Sequence, residues 1–336
     1  MTTDLQRRGS GAATDPSSDS RRRPAQLGQL VVPALLIFEI VVFSLLTDTF
    51  LSGGNIANVL LNSVDLALIA GGLTLVIILG GIDVSTGPAL GVVAWVVGTL
   101  TVAGAPALVT VAAAIVLGSV MGLINGLLVS VLNVTAIIAT LGTAAIWQTA
   151  LFGLWGGADV FSPPVSLFFS SQRLLGVPTV ALFVLVVYAV LWYVSRYRAF
   201  GRHAFAVGND VEGARLSGVS VRRVTLAAYL LVGAMVGLAA VVYMARVGVV
   251  QASSGADLSL AAIAAVVVGG TSITGGRGSV IGTLVGVLFI AVLQNGVVLV
   301  GVPPLWNGVL VGTFILLAVA IDVLSERLSR RKRLSR

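Results

Sequence analysis

Ten strongly apolar runs follow one another along this chain, separated by short polar joints and three clusters of arginine. About 20 apolar residues in a helix match the hydrocarbon thickness of a bilayer. Inside hydrocarbon every backbone amide must be bonded within its own element, so runs of this kind become helices. They read as about 30–46, 65–81, 87–102, 105–132, 136–154, 177–194, 224–245, 258–268, 280–300 and 305–324. A further segment, 50–64, is shorter and amphipathic, with Asn55, Asn58 and Asn62 among Ile56, Val59, Leu60 and Leu61. It is expected to lie in the interface or to enter it partway. The expected fold class is an all-α polytopic membrane protein of about ten transmembrane helices, some of them short or broken.

Composition agrees. Hydrophobic residues make up 57% of the 336 residues and charged residues 10%, against about 25% charged in an ordinary soluble domain. Such an excess of apolar surface does not fit inside one soluble core. The 40 glycines would weaken soluble helices, but in membrane bundles they let backbones approach closely.

Orientation follows from the arginines. Arg7, Arg8, Arg21, Arg22 and Arg23 form the first cluster. Arg196, Arg198, Arg202, Arg215, Arg222 and Arg223 form the second, and Arg327, Arg330, Arg331, Lys332, Arg333 and Arg336 the third. Cytoplasmic loops collect basic residues. Six crossings between the first and second clusters, and four between the second and third, put all three on one side. The expected organisation is a disordered basic cytoplasmic tail over 1–27 and a transmembrane domain over 28–324. A cytoplasmic loop at 195–223 interrupts that domain, and a basic cytoplasmic tail covers 325–336. Both termini are then expected to be cytoplasmic in a multi-pass membrane protein. The loop around Asp159 falls outside and Arg277 inside, while Arg246 is a lone basic residue outside. The net charge of +7 thus points to membrane lipid. No nucleic-acid partner is expected, because no basic face interleaved with aromatics appears.

Several chemistries are excluded. There is no cysteine and one histidine, His203, which leaves no thiolate chemistry and little for a metal site. Lys332 is the sole lysine, so the Gly-x-x-x-x-Gly-Lys-Ser/Thr phosphate loop is absent. No catalytic residue, metal or cofactor is expected, and any ATP must be used by a separate subunit.

Two glycine-broken segments stand out. Thr74–Leu79 runs into Gly80-Gly81-Ile82-Asp83-Val84-Ser85-Thr86-Gly87, and Ala264–Val268 runs into Gly269-Gly270-Thr271-Ser272-Ile273-Thr274-Gly275-Gly276. Paired interruptions of this kind mark discontinuous helices lining a path. Asp83 has two readings: with Ser85 it caps the following helix, or it touches the transported molecule. Glu39, alone in the first run, could face a partner helix, a copy of the chain or the path, and pairing with a neighbouring helix is the plainest expectation. Asn125, Gln148, Gln294 and Asn295 suit interhelical bonding or the lining of a path for hydroxyl-rich solutes. The candidate path or helix-break residues are Gly80, Gly81, Asp83, Ser85, Gly87, Thr140, Gly269, Gly270, Thr271 and Asn295.

The polar segment carries Val211, Glu212, Gly213, Ala214, Arg215, Leu216, Ser217 and Gly218. Glu212 near a helix start suits the dipole, and Leu216 offers an apolar knob to a partner. This is the expected docking point for a soluble partner, or else a solvated loop against lipid headgroups.

These stretches resemble a known family. Gly80–Gly87 resembles the "GGIDLSVG" signature of bacterial ABC permeases of the ribose/xylose/arabinose type. Ala136–Gly142, which contains Thr140, is similar to that family's "FIATLG". Gly201–Gly218 resembles "GRxxxAxGGNxxAARLSG", and Ala261–Gly282 resembles "DAIAAVVLGGTSxxGGxGSVxGT". The resemblance implies an ABC importer permease fold and no enzymatic activity in this subunit. The implied partners are a cytoplasmic ABC ATPase, a periplasmic or lipid-anchored sugar-binding protein, and a second permease copy or a close paralogue. It implies that Glu212–Gly218 is the "EAA"-type coupling helix. Two departures appear: Gly213 replaces an alanine, and Leu258-Ser259-Leu260-Ala261 stand where relatives often have two acids. The implied function is alternating-access import of a monosaccharide or related polyol. A branched-chain amino acid ABC permease and an ion-coupled secondary carrier are the alternatives.

Overall fold

The computed structural model describes residues 23–161, 173–174, 176–317 and 320, with side chains described from Val32 onward. The order is α1 (Arg23–Leu46), α2 (Gly53–Asn62), α3 (Val64–Ile78), α4 (Thr86–Val102), α5 (Ala107–Ser130), α6 (Ala136–Trp155), α7 (Thr179–Tyr197), α8 (Ala199–Asn209), α9 (Val211–Leu216), α10 (Val221–Val247), α11 (Leu258–Val268), α12 (Val280–Leu299) and α13 (Pro304–Leu317). Each of the ten apolar runs falls on one of these helices. α5, α6, α7, α10 and α12 are individually long and apolar enough to cross a membrane. α2 and α3 meet at a 44° bend and give a sixth when the bent pair is counted as one span. The amphipathic segment forms α2 and leads into α3 across that bend. The basic C-terminal tail lies outside the described residues, and the N-terminal one is described only from Arg23, where it is already helical.

The core forms around α3 and α10. α3 is apolar on every face and buried at every position, so neighbours must surround it. The 27-residue α10 packs on α3, α4 and α5. Against α5 the approach is glycine on glycine: a β-carbon on Gly118 would stand 2.9 Å from Gly237 N, and one on Gly122 3.0 Å from Gly233 Cα. Lipid is as apolar as leucine, so close packing of small residues, rather than exclusion of water, holds such a pair together.

Short strands and one ion pair mark one end of the bundle. β1 (Val160–Phe161) pairs antiparallel with β4 (Val249–Val250), with Val160 opposite Val250. β2 (Arg173–Leu174) and β3 (Val177–Pro178) form a second ribbon. Beside them Arg246, the basic residue that the arginine distribution left isolated, donates to Asp65 at 2.6 Å and to Asn62 at 3.0 Å. Asp65 is buried, so the pair neutralises a carboxylate that would otherwise be costly to bury.

Glu39 departs from expectation. It is buried where α1 packs on α12, and its Oε2 has no hydrogen-bond partner among the described residues. The expected pairing with a neighbouring helix is not made there.

Candidate functional site

Both glycine-broken segments end in the same backbone device. At the end of α3 the Gly80 amide bonds Ile77 O and the Gly81 amide bonds Val76 O; Gly80 has φ 81°. At the end of α11 the Gly270 amide bonds Val267 O and the Thr271 amide bonds Val266 O; Gly270 has φ 88°. This is the Schellman pattern, with glycine taking the left-handed position. The two Gly-Gly pairs are thus equivalent with a one-residue offset: Gly80 matches Gly270, and Gly81 matches Thr271.

The extended stretch after Gly81 threads between other helices through a buried polar network. Asp83, 1% exposed, accepts the Ser85 amide at 2.9 Å and the Ser85 hydroxyl at 2.6 Å through Oδ1. Asn125 of α5 donates to Ser85 Oγ at 2.7 Å and to Asp83 Oδ2 at 3.4 Å. Thr143 of α6 donates to Asn125 Oδ1 at 2.7 Å. Thr140, one turn earlier, donates to Ile82 O at 3.1 Å and accepts the Val84 amide at 3.3 Å. A small cavity lies beside the network, lined by Asp83, Ser85, Asn125, Met121 and Val236.

The cap of α4 corrects the sequence reading. Neither Asp83 nor Ser85 takes a first-turn amide of α4; Ser85 sits at the cap position without a side-chain cap bond. The Gly87 amide is instead accepted by Ser259 Oγ of α11 at 2.7 Å, and the same hydroxyl donates to Val84 O at 2.7 Å. The N-terminal ends of α4 and α11 therefore meet, and α11 caps α4. Ser259 occupies one of the two positions where relatives often carry acids; sequence reasoning marked it only as a departure.

The remaining path candidates separate. Thr271 is buried and accepts the Ser279 amide at 3.4 Å. Asn295 of α12 lies outside the Asp83 network and exchanges two 2.9 Å bonds with Asn55 of α2. Gln148 donates to Ala252 O at 2.6 Å. The asparagine pair thus joins α2 to α12, and Gln148 ties α6 to the loop before α11.

At the strand-bearing end Asp159 accepts the Trp155 indole N–H at 2.8 Å and the Gln251 amide at 3.1 Å. These donors stabilise the carboxylate and hold its pKa below the usual value.

The polar segment folds as two helices, α8 and α9. Asp210 caps α9 by accepting the Glu212 amide at 3.1 Å. Glu212 and Arg215 pair across one turn at 3.2 Å, fully in the open. Leu216 is 82% exposed and Val211 is also exposed, while Ala214 is buried. The sequence suggested that Gly213 weakens this helix relative to alanine. The structure supplies a reason for glycine: a β-carbon there would stand 2.6 Å from Asp210 Oδ2. Glycine makes room for the cap, and a cap offsets about 1 kcal/mol. Val219 follows, and Gly218 turns the chain at φ 81° into α10.

Comparison with known proteins follows this geometry. The family model described as branched-chain amino acid transport system / permease component matches residues 55–319. The ribose import permease protein RbsC of Escherichia coli (strain K12) is 36% identical over 294 residues, covering 86% of this chain and 91% of that protein. RbsC of Bacillus subtilis (strain 168) is 35% identical over 290 residues, covering 85% and 90%. The autoinducer 2 import system permease protein LsrC of Salmonella paratyphi B is 33% identical over 309 residues, covering 90% and 88%. No solved structure matches the chain significantly.

Proposed function

The chain belongs to the branched-chain amino acid transport system permease component family of ABC importers, and from that premise we propose that it imports a monosaccharide or related polyol by alternating access. The relatives named as ribose and autoinducer 2 import permeases favour a hydroxyl-rich solute over a branched-chain amino acid. Reading the five long helices, the bent α2–α3 pair and the shorter α1, α4, α11 and α13 as one crossing each gives ten crossings, with both termini cytoplasmic. The two Schellman-ended segments and the Asp83 network line or frame the path.

The observation that carries the ATP-driven reading is α9. It is a capped, one-and-a-half-turn helix held on the bundle by Ala214, with Leu216 projecting freely. Leu216 and Val211 on a capped helix offer apolar surface that a partner's groove can bury. A cytoplasmic ABC ATPase is the partner whose closure would move it. A periplasmic or lipid-anchored sugar-binding protein delivers solute to the strand-bearing end, where Asp159 and Gln251 lie. A second copy of the chain or a close paralogue completes the transporter. Asp83, 1% exposed and held by Ser85 and Asn125, acts as the hub of the α3–α4 break.

Reconstitution tests this. Vesicles containing the permease, its ATPase and a binding protein are expected to accumulate solute only with internal ATP. Uptake by the permease alone, driven by a proton or sodium gradient, would overturn the proposal in favour of a secondary carrier.

A further inference from the structure

Three segments far apart in sequence meet at the α8–α9 end of the bundle. The α3 C-terminus offers Ile78 O, which accepts the Gly276 amide at 2.9 Å. Gly208, in the last turn of α8, presses against the same carbonyl, and a β-carbon on Gly208 would stand 2.7 Å from Gly276 N. A β-carbon on Gly275 would stand 2.9 Å from Gly80 N, 3.0 Å from Gly208 O and 3.0 Å from Ile78 O. Around this contact Leu75 and Ile78 of α3, Ala204 of α8 and Val224 of α10 are buried together. Backbone touches backbone here, with no flexible side chain between, so a displacement at one segment is carried directly to the others. α9 follows Gly208 after two residues, Asn209 and Asp210.

We propose that the Gly208–Ile78–Gly276 junction is a rigid link that carries movement of α9 into both glycine-broken helices at once. It rests on the docking of an ATPase at α9. Through Ile78 the link reaches the Gly80-Gly81 break and the Asp83 stretch; through Gly275-Gly276 it reaches the segment following Gly270. Gly208 is thus a positioning residue for transport, separate from the docking surface at Leu216.

The assembled transporter in vesicles tests the link. Gly208→Ala is expected to retain ATPase capture and basal ATP hydrolysis while solute uptake falls at least tenfold. Unchanged uptake per ATP hydrolysed would overturn the proposal. Because the added methyl group can also impair folding, a second variant is used. The chain has no cysteine, and a β-carbon on Gly276 would stand 3.2 Å from Asn209 Cβ, within reach of a disulfide after a small shift. Gly276 has φ 72°, so a cysteine there is strained, but the oxidised and reduced forms that are compared share that strain. In the pair Asn209→Cys/Gly276→Cys, oxidation is expected to leave ATP-driven uptake within about twofold of the reduced transporter, because a rigid link is not opened by being tied. Uptake abolished by oxidation and restored by reductant would overturn it. Loss of ATPase capture is read separately with Leu216→Asp: if that variant still captures the ATPase, the docking reading fails rather than the link.

Discussion

The hydroxyl of Ser259 on α11 accepts the Gly87 amide of α4 at 2.7 Å, so α11 caps the helix that follows the first break from 172 residues away. The same oxygen donates to Val84 O. Ser259→Ala removes both bonds and leaves a buried amide and carbonyl unpaired. Each such loss costs about 1–3 kcal/mol. The expected result is a clear fall in thermal midpoint for the detergent-solubilised protein. An unchanged midpoint would show that the trans cap contributes nothing.

Asp83 and Asn125 form a donor–acceptor pair whose sense can be reversed. Asp83→Asn puts one amide against another while Oδ1 keeps its Ser85 bonds, at an expected cost of about 1–3 kcal/mol. The double variant Asp83→Asn/Asn125→Asp again sets a donor against an acceptor and still accepts from Thr143, with the single Ser85 hydroxyl proton turning from residue 83 to residue 125. It should recover part of the lost stability, with a coupling of about 0.5–3 kcal/mol in a double-mutant cycle. Additive losses would contradict the network. Uptake recovered with stability assigns Asp83 to holding the break; uptake lost despite recovered stability assigns it contact with solute.

Leu216→Asp is expected to leave the melting of the isolated permease unchanged, since the side chain is 82% exposed. Binding of the ATPase should weaken by about 2 kcal/mol or more, roughly 30-fold. Co-purification and ATP-driven uptake measure the two effects.

Glycine placement makes opposite predictions at two sites. A β-carbon on Gly122 meets α10 backbone at Gly233, whereas one on Gly142 meets nothing within 4 Å. Gly122→Ala should destabilise by about 1–3 kcal/mol through overpacking. Gly142→Ala should be neutral or stabilising by up to about 1 kcal/mol, because alanine suits a helix better. Thermal unfolding of the two variants side by side decides.

Asp159 sets a pH expectation. Its folded pKa is depressed by the Trp155 and Gln251 donors, so the carboxylate clasp is present above the usual carboxylate pKa of about 3.9. It is lost only as pH falls through the lower folded value. The Trp155 fluorescence, taken as the difference from Trp155→Phe, should therefore stay constant from about pH 7 down to the usual carboxylate value of about 3.9 and change only below it. A transition centred at about 3.9 or above would mean that the clasp is not made.

The helices themselves were legible in the sequence because hydropathy acts locally: twenty apolar residues become a helix whatever surrounds them. The two Gly-Gly interruptions were legible for the same reason, since glycine at a left-handed position is a local demand. Their one-residue offset was not, because it depends on which amide closes on which carbonyl. Asp83 was visible as a polar residue in an apolar setting, but its partners on α5 and α6 were not. Ser259 gave almost no signal: a serine in an apolar run is ordinary until another helix end arrives against it. Glu39 shows the converse, since its expected pairing could be named without knowing what packs beside α1.

What the sequence by itself determined is the solvent and the class. The apolar runs require a bilayer, and the motif stretches between Gly80 and Gly282 carry the likeness to the permease family that the comparisons show. The tertiary structure alone decided how the breaks are used. Ser259 meets Gly87, and Gly208 meets Ile78 and Gly276, only when segments separated by up to 200 residues are packed backbone to backbone. Such contacts depend on shape and on the absence of a β-carbon at a particular place, which no single stretch of sequence contains.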